Sequence, residues 1–377
     1  MQQPIRVAQV MGAMVGGGLE ATIMNHYRLL DHDKVQFDFI VQDDSTFVPE
    51  DEIKSLGGRI FTIPSYKKLA AYVEKCEDLF SGLHPDIVHS NMNALSIFPL
   101  YAAKKAGIPI RIAHSHSTAN NKEIARTAIK NVLRPFSKVY PTQLVACGEY
   151  SAEWLFGKRV VEQGKVHYIK NAVDLHKFAY HKEQRSKLRT ELGISDKFVI
   201  GQIGRFTSQK NHAFALDVFS HLHRTMPNSV YVTLGSGELM EETKRRAQSL
   251  GISDSVLFLG QRNDSQYWYS VFDILLFPSL YEGLPLTAIE AQAAGLPILA
   301  SSNITKEAFI ESDLTHILSL NDPPQKWAET IESIAAHPTD RTVRRYDDLA
   351  AAGYDIHQSA QDMQNLYLKL INQQISA

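Results

Sequence analysis

The stretch PSLYEGLPLTAIEAQAAGLPILAS, residues 278–301, sets two glutamates, Glu282 and Glu290, on either side of a Gly-Leu-Pro turn. Pro285 suits the first turn of a helix, so Glu282 and Gly283 fall in the loop before it and Glu290 about one turn inside. Leu286 and Thr287 then present unpaired N–H groups at a helix start, where the macrodipole favours an anion. Solvated helix charges are the plain alternative for the two carboxylates, but their flanks are small or apolar. The apolar runs ILLFPS (274–279) before and PILASS (297–302) after make the whole a strand–helix–strand unit.

The same alternation extends in both directions. Strands are expected at 198–206, 230–237 and 256–261, and earlier at 5–11, 37–42, 59–64, 86–91, 110–115 and 143–148, with helical patterns between most of them. Near-continuous apolar strands alternating with helices indicate parallel sheets covered on both faces. A charged segment at 174–196 separates the two series. The expected organisation is a first α/β domain over 1–173, a linker over 174–196 and a second α/β domain over 197–355. A last helix over 356–377 either closes off the second domain or crosses back to the first. Both domains read as doubly wound and Rossmann-like, and facing one another they would form a cleft. Ligands of such sheets bind beyond the strands' carboxyl ends.

Bulk properties narrow the class. The chain has 377 residues, 44% apolar and 21% charged, with a formal net charge of −2. That is ordinary globular composition and gives no electrostatic case for nucleic acid. The two cysteines, Cys76 and Cys147, lack metal spacing and fit a reducing cytoplasm. The start MQQPIRVAQVMGAM has neither the charge nor the apolar run of a signal peptide, and no run of about 18 apolar residues is present.

Four further clusters fall in strand-to-helix loops. After the first strand, GAMVGGGLE places Gly16, Gly17 and Gly18 before a helix, a pattern open to an anion, an acceptor or a plain tight turn. Its spacing is not G-x-G-x-x-G, which argues against a nicotinamide cofactor. IGRFTSQKN sets Arg205 and Lys210 in one loop, a planar fork and a mobile point charge that together suit a diphosphate. VTLGSG ends a strand with Gly235 and Gly237, where backbone must pass close to something bulky, although a turn alone would also account for it. DIVHSN and IRIAHSHST supply His89, His114 and His116, expected just after strands four and five. These could donate to sugar hydroxyls, form a structural group, or bind zinc, but no acidic or cysteine partner stands at ligand spacing.

With these residues in place the chain resembles the GT-B glycosyltransferases of the large retaining family 4. EGLPLTAIE is similar to that family's E-x7-E motif and GRFTSQKN to its Arg-and-Lys diphosphate site. GGGLE resembles its first glycine loop, AHSHS its strand-five histidine, and IKNAVD (169–174), with Asn171, its entry to the second domain. The resemblance implies that Arg205 and Lys210 hold the donor diphosphate, that Glu290 binds the ribose hydroxyls and that Glu282 faces the transferred sugar. Backbone at Gly283, Leu284, Leu286 and Thr287 would complete the phosphate cradle, with Gly235 beside the donor and Gly16, Gly17 and Gly18 near phosphate or acceptor. His116 is the preferred cleft histidine and His114 its alternative. The segment ASSNITKEAFIESD departs from the family in having Glu307 but no glycine.

The implied reaction moves a hexose or N-acetylhexosamine from a nucleoside diphosphate sugar, UDP favoured, to a saccharide or lipid-linked saccharide in surface-polysaccharide assembly. No D-x-D motif is found, so neither a metal nor a cofactor is expected. A sugar-nucleotide epimerase and a non-catalytic sugar-nucleotide-binding subunit are the rival classes. The first would need acid/base carboxylates in the first domain, where none is assignable. The second would dispense with His116 and Glu282. Finally, Arg126, Lys130, Arg134 and Lys138 recur every fourth residue beside an apolar stripe, and five basic residues face only Glu123 over 122–138. The segment 122–138 either rests on anionic lipid at the inner face of the plasma membrane or packs its stripe on the core.

Overall fold

A computed structural model describes residues 3–116, 132–310, 313–343 and 345–376. The chain divides into two compact units, one formed by Met1–Ala172 with Ile356–Ala377, the other by Val173–Asp355.

The first unit carries seven parallel strands: β1 (Ile5–Val10), β2 (Val35–Gln42), β3 (Arg59–Ile63), β4 (Ile87–Ser90), β5 (Ile110–Ser115), β6 (Gln143–Ala146) and β7 (Val166–Tyr168). Their order is β3-β2-β1-β4-β5-β6-β7. Successive side chains point to opposite faces, and both faces are covered. Val7, Phe37, Phe39 and Ile112 join one cluster, while Ala8, Val10, Ile40 and Val88 join the other. Buried Asp38 in β2 breaks the apolar pattern with a charge, and it is neutralised by Arg59 at 2.6 Å and Arg6 at 3.2 Å. The C-terminal helix Ile356–Ile375 belongs to this unit. It lays Met363, Leu366, Tyr367 and Leu370 into the cluster around Val7 and Phe37, burial worth roughly 1.5–3 kcal/mol per side chain.

The second unit carries six parallel strands: β8 (Phe198–Ile203), β9 (Ser229–Leu234), β10 (Val256–Phe258), β11 (Ile274–Phe277), β12 (Ile298–Ser301) and β13 (Thr315–Leu318). The order is β10-β9-β8-β11-β12-β13, so the winding reverses between β8 and β11. The edge strands β7 and β13 were not anticipated from sequence. They span only 3 and 4 residues with mixed burial, and an edge strand needs little apolar pattern.

Residues 174–196 lie within the second unit and hold the helix Lys182–Glu191. Their packing is made by arginines, which hid it in a charged sequence. Arg185 and Arg189 each reach Asp273 at 2.5 Å, and both also donate to backbone carbonyls at the end of the helix Ser265–Val271. No helix among the described residues is long and apolar enough to cross a membrane.

Most of the basic segment 122–138, including Lys122, Arg126 and Lys130, lies outside the described residues. In its described end the 3-10 turn Arg134–Phe136 holds Pro135. There Arg134 lies 6.0 Å from the Trp154 ring and Lys138 donates to the Phe156 carbonyl at 3.0 Å. Val132 and Phe136 are exposed.

Candidate active site

In the second unit the residues singled out in sequence gather where the winding reverses, which is where doubly wound sheets bind ligands. Beyond β8 the chain makes the 3-10 turn Ser208–Lys210 and then enters the helix His212–Thr225 through Asn211, whose φ of 54° is left-handed. Beyond β11 it runs through 278–285 into the helix Leu286–Ala293. The two loops are stitched together. The Leu280 N–H donates to the Gln209 carbonyl at 2.8 Å, and the Asn211 amide donates to the Pro278 carbonyl at 3.1 Å. Gln209 Nε2 donates both to the Tyr281 carbonyl at 3.1 Å and to Glu282 Oε2 at 3.0 Å.

That stitching brings Lys210 Nζ to 2.6 Å from Glu282 Oε1. Both Glu282 oxygens are therefore occupied, one by an ammonium and one by an amide. Arg205, on the same loop as Lys210, is exposed and makes no ion pair among the described residues. Pro285 stands at the N-cap with φ −75° and ψ 119°, and no side chain caps the helix that follows. Gly283 is partly exposed there, and Leu284 is buried. Leu286 and Thr287 form the first turn, so their amides have no intrahelical partner and face the N-terminal end of the helix, where Glu282 precedes it.

Glu290 lies one turn further on and is partly buried. Burial pushes its carboxyl up to about 7, against weaker lowering by the Tyr269 hydrogen bond and by the charges of Lys177 and Lys210. The Tyr269 hydroxyl donates to Glu290 Oε2. Tyr269 is fully buried in the helix Ser265–Val271, and burial with the neighbouring carboxylate holds its phenol well above the usual range.

Gly235 has φ 138°, and a Cβ on it would stand 2.0 Å from the Gly204 carbonyl oxygen. The bulky neighbour anticipated at this strand end is thus the backbone of the Arg205 loop. Gly237, with φ 155°, meets the Phe206 carbonyl oxygen in the same way at 2.5 Å.

In the first unit, β1, β4 and β5 are adjacent, and the reversal again falls beside β1. Gly16 has φ 74°, and Gly17 is the N-cap of the helix Gly18–Tyr27. Glu20, in that helix's first turn, takes the Val15 N–H at 2.9 Å, which removes one loop amide from those open to an anion. A Cβ on Gly18 would meet nothing within 4 Å.

His89 lies within β4 and His114 within β5, with only His116 beyond a strand end. The three histidines and partners from distant segments form one buried chain. His89 Nδ1 meets the Tyr367 hydroxyl at 2.7 Å, and His89 Nε2 meets His114 Nδ1 at 3.0 Å. Gln9 donates to Tyr367 at 2.9 Å and accepts from Asn91 at 2.9 Å. Asn91 Oδ1 stands 2.9 Å from His116 Nε2. The Asn91 oxygen can only accept, so His116 Nε2 carries the proton. A Tyr367 hydroxyl that accepts from Gln9 donates to His89 Nδ1. His89 Nε2 then donates to His114 Nδ1, leaving the His114 proton on Nε2. That buried atom has no partner among the described residues. Burial lowers the pKa of all three rings, His89 and His116 to about 3, so they are neutral hydrogen-bonding groups. Asn171 is buried with its side-chain oxygen 3.5 Å from His116 Nδ1.

Sequence reasoning overlooked Gln209, Tyr269, Asn91 and Tyr367. Gln209 adjoins Lys210 and was within reach of a motif reading. The aromatic run around Tyr269 reads as core, and Tyr367 lies 278 positions from His89.

Comparison with known proteins agrees with this architecture. Residues 16–177 match the family described as Glycosyltransferase Family 4, and residues 184–353 match Glycosyl transferases group 1. EpsF of Bacillus subtilis (strain 168) is 35% identical over 371 residues, covering 96% of each chain. The UDP-Gal:alpha-D-GlcNAc-diphosphoundecaprenol alpha-1,3-galactosyltransferase of Escherichia coli is 26% identical, covering 84% of this chain and 85% of that one. The capsular polysaccharide biosynthesis glycosyltransferase CapH of Staphylococcus aureus is 23% identical, covering 97% and 99%. Among solved structures, Anabaena Alr3699/HepE in complex with UDP-glucose superposes with a TM-score of 0.73 at 18% identity, covering 99% and 98%. With two parallel α/β sheets of seven and six strands and a full-length relative above 30% identity, the chain belongs to the group 1, family 4 glycosyltransferases of GT-B fold.

Proposed function

We propose that the protein transfers a hexose or N-acetylhexosamine from a UDP-sugar to a lipid-linked saccharide, with retention of configuration, in the assembly of a surface polysaccharide. The observation that carries this reading is the convergence of Lys210, Glu282, the uncapped start of the helix Leu286–Ala293 and Glu290 at the reversal between β8 and β11. Departure of a nucleoside diphosphate builds negative charge. Arg205, Lys210 and the amides at Leu286 and Thr287 are the groups that stabilise it. Glu290 accepts from the ribose hydroxyls. Glu282 faces the sugar, and Lys210 and Gln209 set its position. In the first unit, neutral His116 accepts from a sugar hydroxyl at Nδ1, or His114 donates to one through its Nε2–H, and Gly16, Gly17 and Gly18 border phosphate or acceptor. The donor and acceptor in the name of the Escherichia coli relative support a UDP-sugar and a diphospholipid-linked acceptor, and CapH supports a polysaccharide setting.

A thermal-shift panel of UDP-, GDP- and ADP-sugars tests the donor site, with Arg205→Ala and Glu290→Ala as controls. A UDP-sugar is expected to raise the melting temperature of the wild type, and each variant to lose most of that rise. No stabilisation by any nucleotide, or equal stabilisation of the variants, overturns the assignment. The lipid-linked acceptor places the protein at a membrane surface through 122–138. Charge reversal at Arg126 and Lys130 is expected to abolish flotation with anionic liposomes, and unchanged flotation removes that contact.

A further inference from the structure

Tyr269 sits at the junction of the two ends of the proposed donor site. Its hydroxyl donates to Glu290 Oε2, and Thr287 is its second side-chain partner. Thr287 stands in the helix's first turn, where a phosphate is proposed, and Glu290 stands where a ribose is proposed. Tyr269 is itself fully buried and part of the core of the helix Ser265–Val271, so no ligand reaches it and it acts only through others. We propose that Tyr269 is a positioning residue for donor binding, its hydroxyl orienting the Glu290 carboxylate and holding it in the ionised form that accepts ribose hydroxyls. The inference rests on the assignment of Glu290 to the donor.

Three observations support it. Glu290 is only partly buried and Tyr269 bonds its Oε2, so the carboxylate can be fixed at one oxygen and meet a ligand at the other. The groups whose fields reach Glu290 come from three segments: Tyr269, Lys177 before the helix Lys182–Glu191, and Lys210 in the turn after β8. The Tyr269 hydrogen bond is the largest influence favouring ionisation, ahead of both lysines, while burial opposes it and holds the carboxyl near 7. The Tyr269 phenol, held well above its usual range, remains a donor throughout the working pH. A hydrogen bond to a charged group is among the stronger ones, and its loss beside a buried carboxylate favours the neutral acid.

The test is the affinity for UDP-glucose as a function of pH, since its diphosphate diester has no proton to titrate near neutrality. Wild-type affinity is expected to rise about tenfold per pH unit on the acid side of a midpoint near 7, then level off. Tyr269→Phe is expected to move that midpoint up by about one pH unit and to weaken binding roughly fivefold at pH 7 and about tenfold well below it. Replacing Tyr269 by 3-fluorotyrosine keeps its shape and strengthens the donor, so the midpoint moves down. That variant decides the matter if Tyr269→Phe fails to fold. Glu290→Gln removes the pH dependence. If Glu290→Gln flattens the profile but neither Tyr269 variant shifts it, Tyr269 is merely structural and the inference is wrong while the donor assignment stands. If the wild-type profile is flat, Glu290 is ionised without help from Tyr269 and the inference falls while the donor assignment stands. If Glu290→Gln binds UDP-glucose as tightly as the wild type above about pH 8, the donor assignment of Glu290 falls and takes the inference with it.

Discussion

Lys210 Nζ and Glu282 Oε1 stand 2.6 Å apart on loops from two adjacent strands, with side-chain exposures of 16% and 8%. A pair so enclosed is sensitive to removal of one partner, because the remaining charge stays buried. Lys210→Ala is expected to cost about 3 kcal/mol in urea unfolding without ligand. The double variant Lys210→Met with Glu282→Gln is expected to recover most of that stability and none of the transfer activity. Recovery of both would show that the pair is structural only.

Gly235 cannot become alanine without moving the Arg205 loop. Its φ is 138° and the added Cβ would lie 2.0 Å from the Gly204 carbonyl oxygen. Gly235→Ala is expected to lose about 2–4 kcal/mol of stability and to weaken UDP-sugar binding. Gly251→Ala, also at positive φ but with open space around its Cβ, is expected to cost no more than about 1–2 kcal/mol, with binding unchanged. Equal losses in the two variants would refute the steric account.

The buried histidines make the first unit acid-sensitive. Their folded pKa values lie below the ordinary 6.5, with His89 and His116 at about 3, and His26, buried in the helix Gly18–Tyr27, is lowered to about 4. The unfolded chain therefore binds protons first. Stability is full above pH 6.5 and falls toward pH 3, by up to about 1.4 kcal/mol per pH unit for each ring. Glu290 acts with the opposite sign in the second unit. Its raised pKa contributes stability that is complete below about 4.5 and lost as pH rises through about 7. Hydrogen exchange of β4 and β5 amides between pH 7 and 5, corrected for intrinsic rates, should show protection falling with pH. Constant protection would contradict the assignment of neutral rings.

Tyr367 ties the C-terminal helix to the histidines through hydrogen bonds with Gln9 and His89. Tyr367→Phe is expected to cost about 1–2 kcal/mol and to reduce turnover more than donor affinity, because the tautomers of His89 and His114 are no longer set. A loss of stability with unchanged turnover would confine Tyr367 to packing.

The chain's own pattern was enough for the class of fold and for naming the residues that gather between β8 and β11. Apolar strands at 5–10, 35–42, 198–203 and 274–277 alternate with helices, and that alternation dictates parallel sheets whatever the partners. Pro285 at a helix start between Glu282 and Glu290 was legible because capping and turn chemistry act over a few residues. The same locality explains what stayed hidden. The helix Lys182–Glu191 packs by arginines on Asp273, so its sequence reads as a solvated linker. Whether Ile356–Ile375 closes one unit or the other depends on burial against Val7 and Phe37, which no local pattern encodes. Glu282 reads alone as a free carboxylate, yet the pairing of β8 with β11 delivers Lys210 and Gln209 to its two oxygens. Tyr269 and Tyr367 read as core aromatics, and only folding reveals that each aims a hydroxyl at an ionisable group. Local chemistry determined which residues could hold a nucleotide sugar, while long-range packing decided the charge and orientation in which each is held.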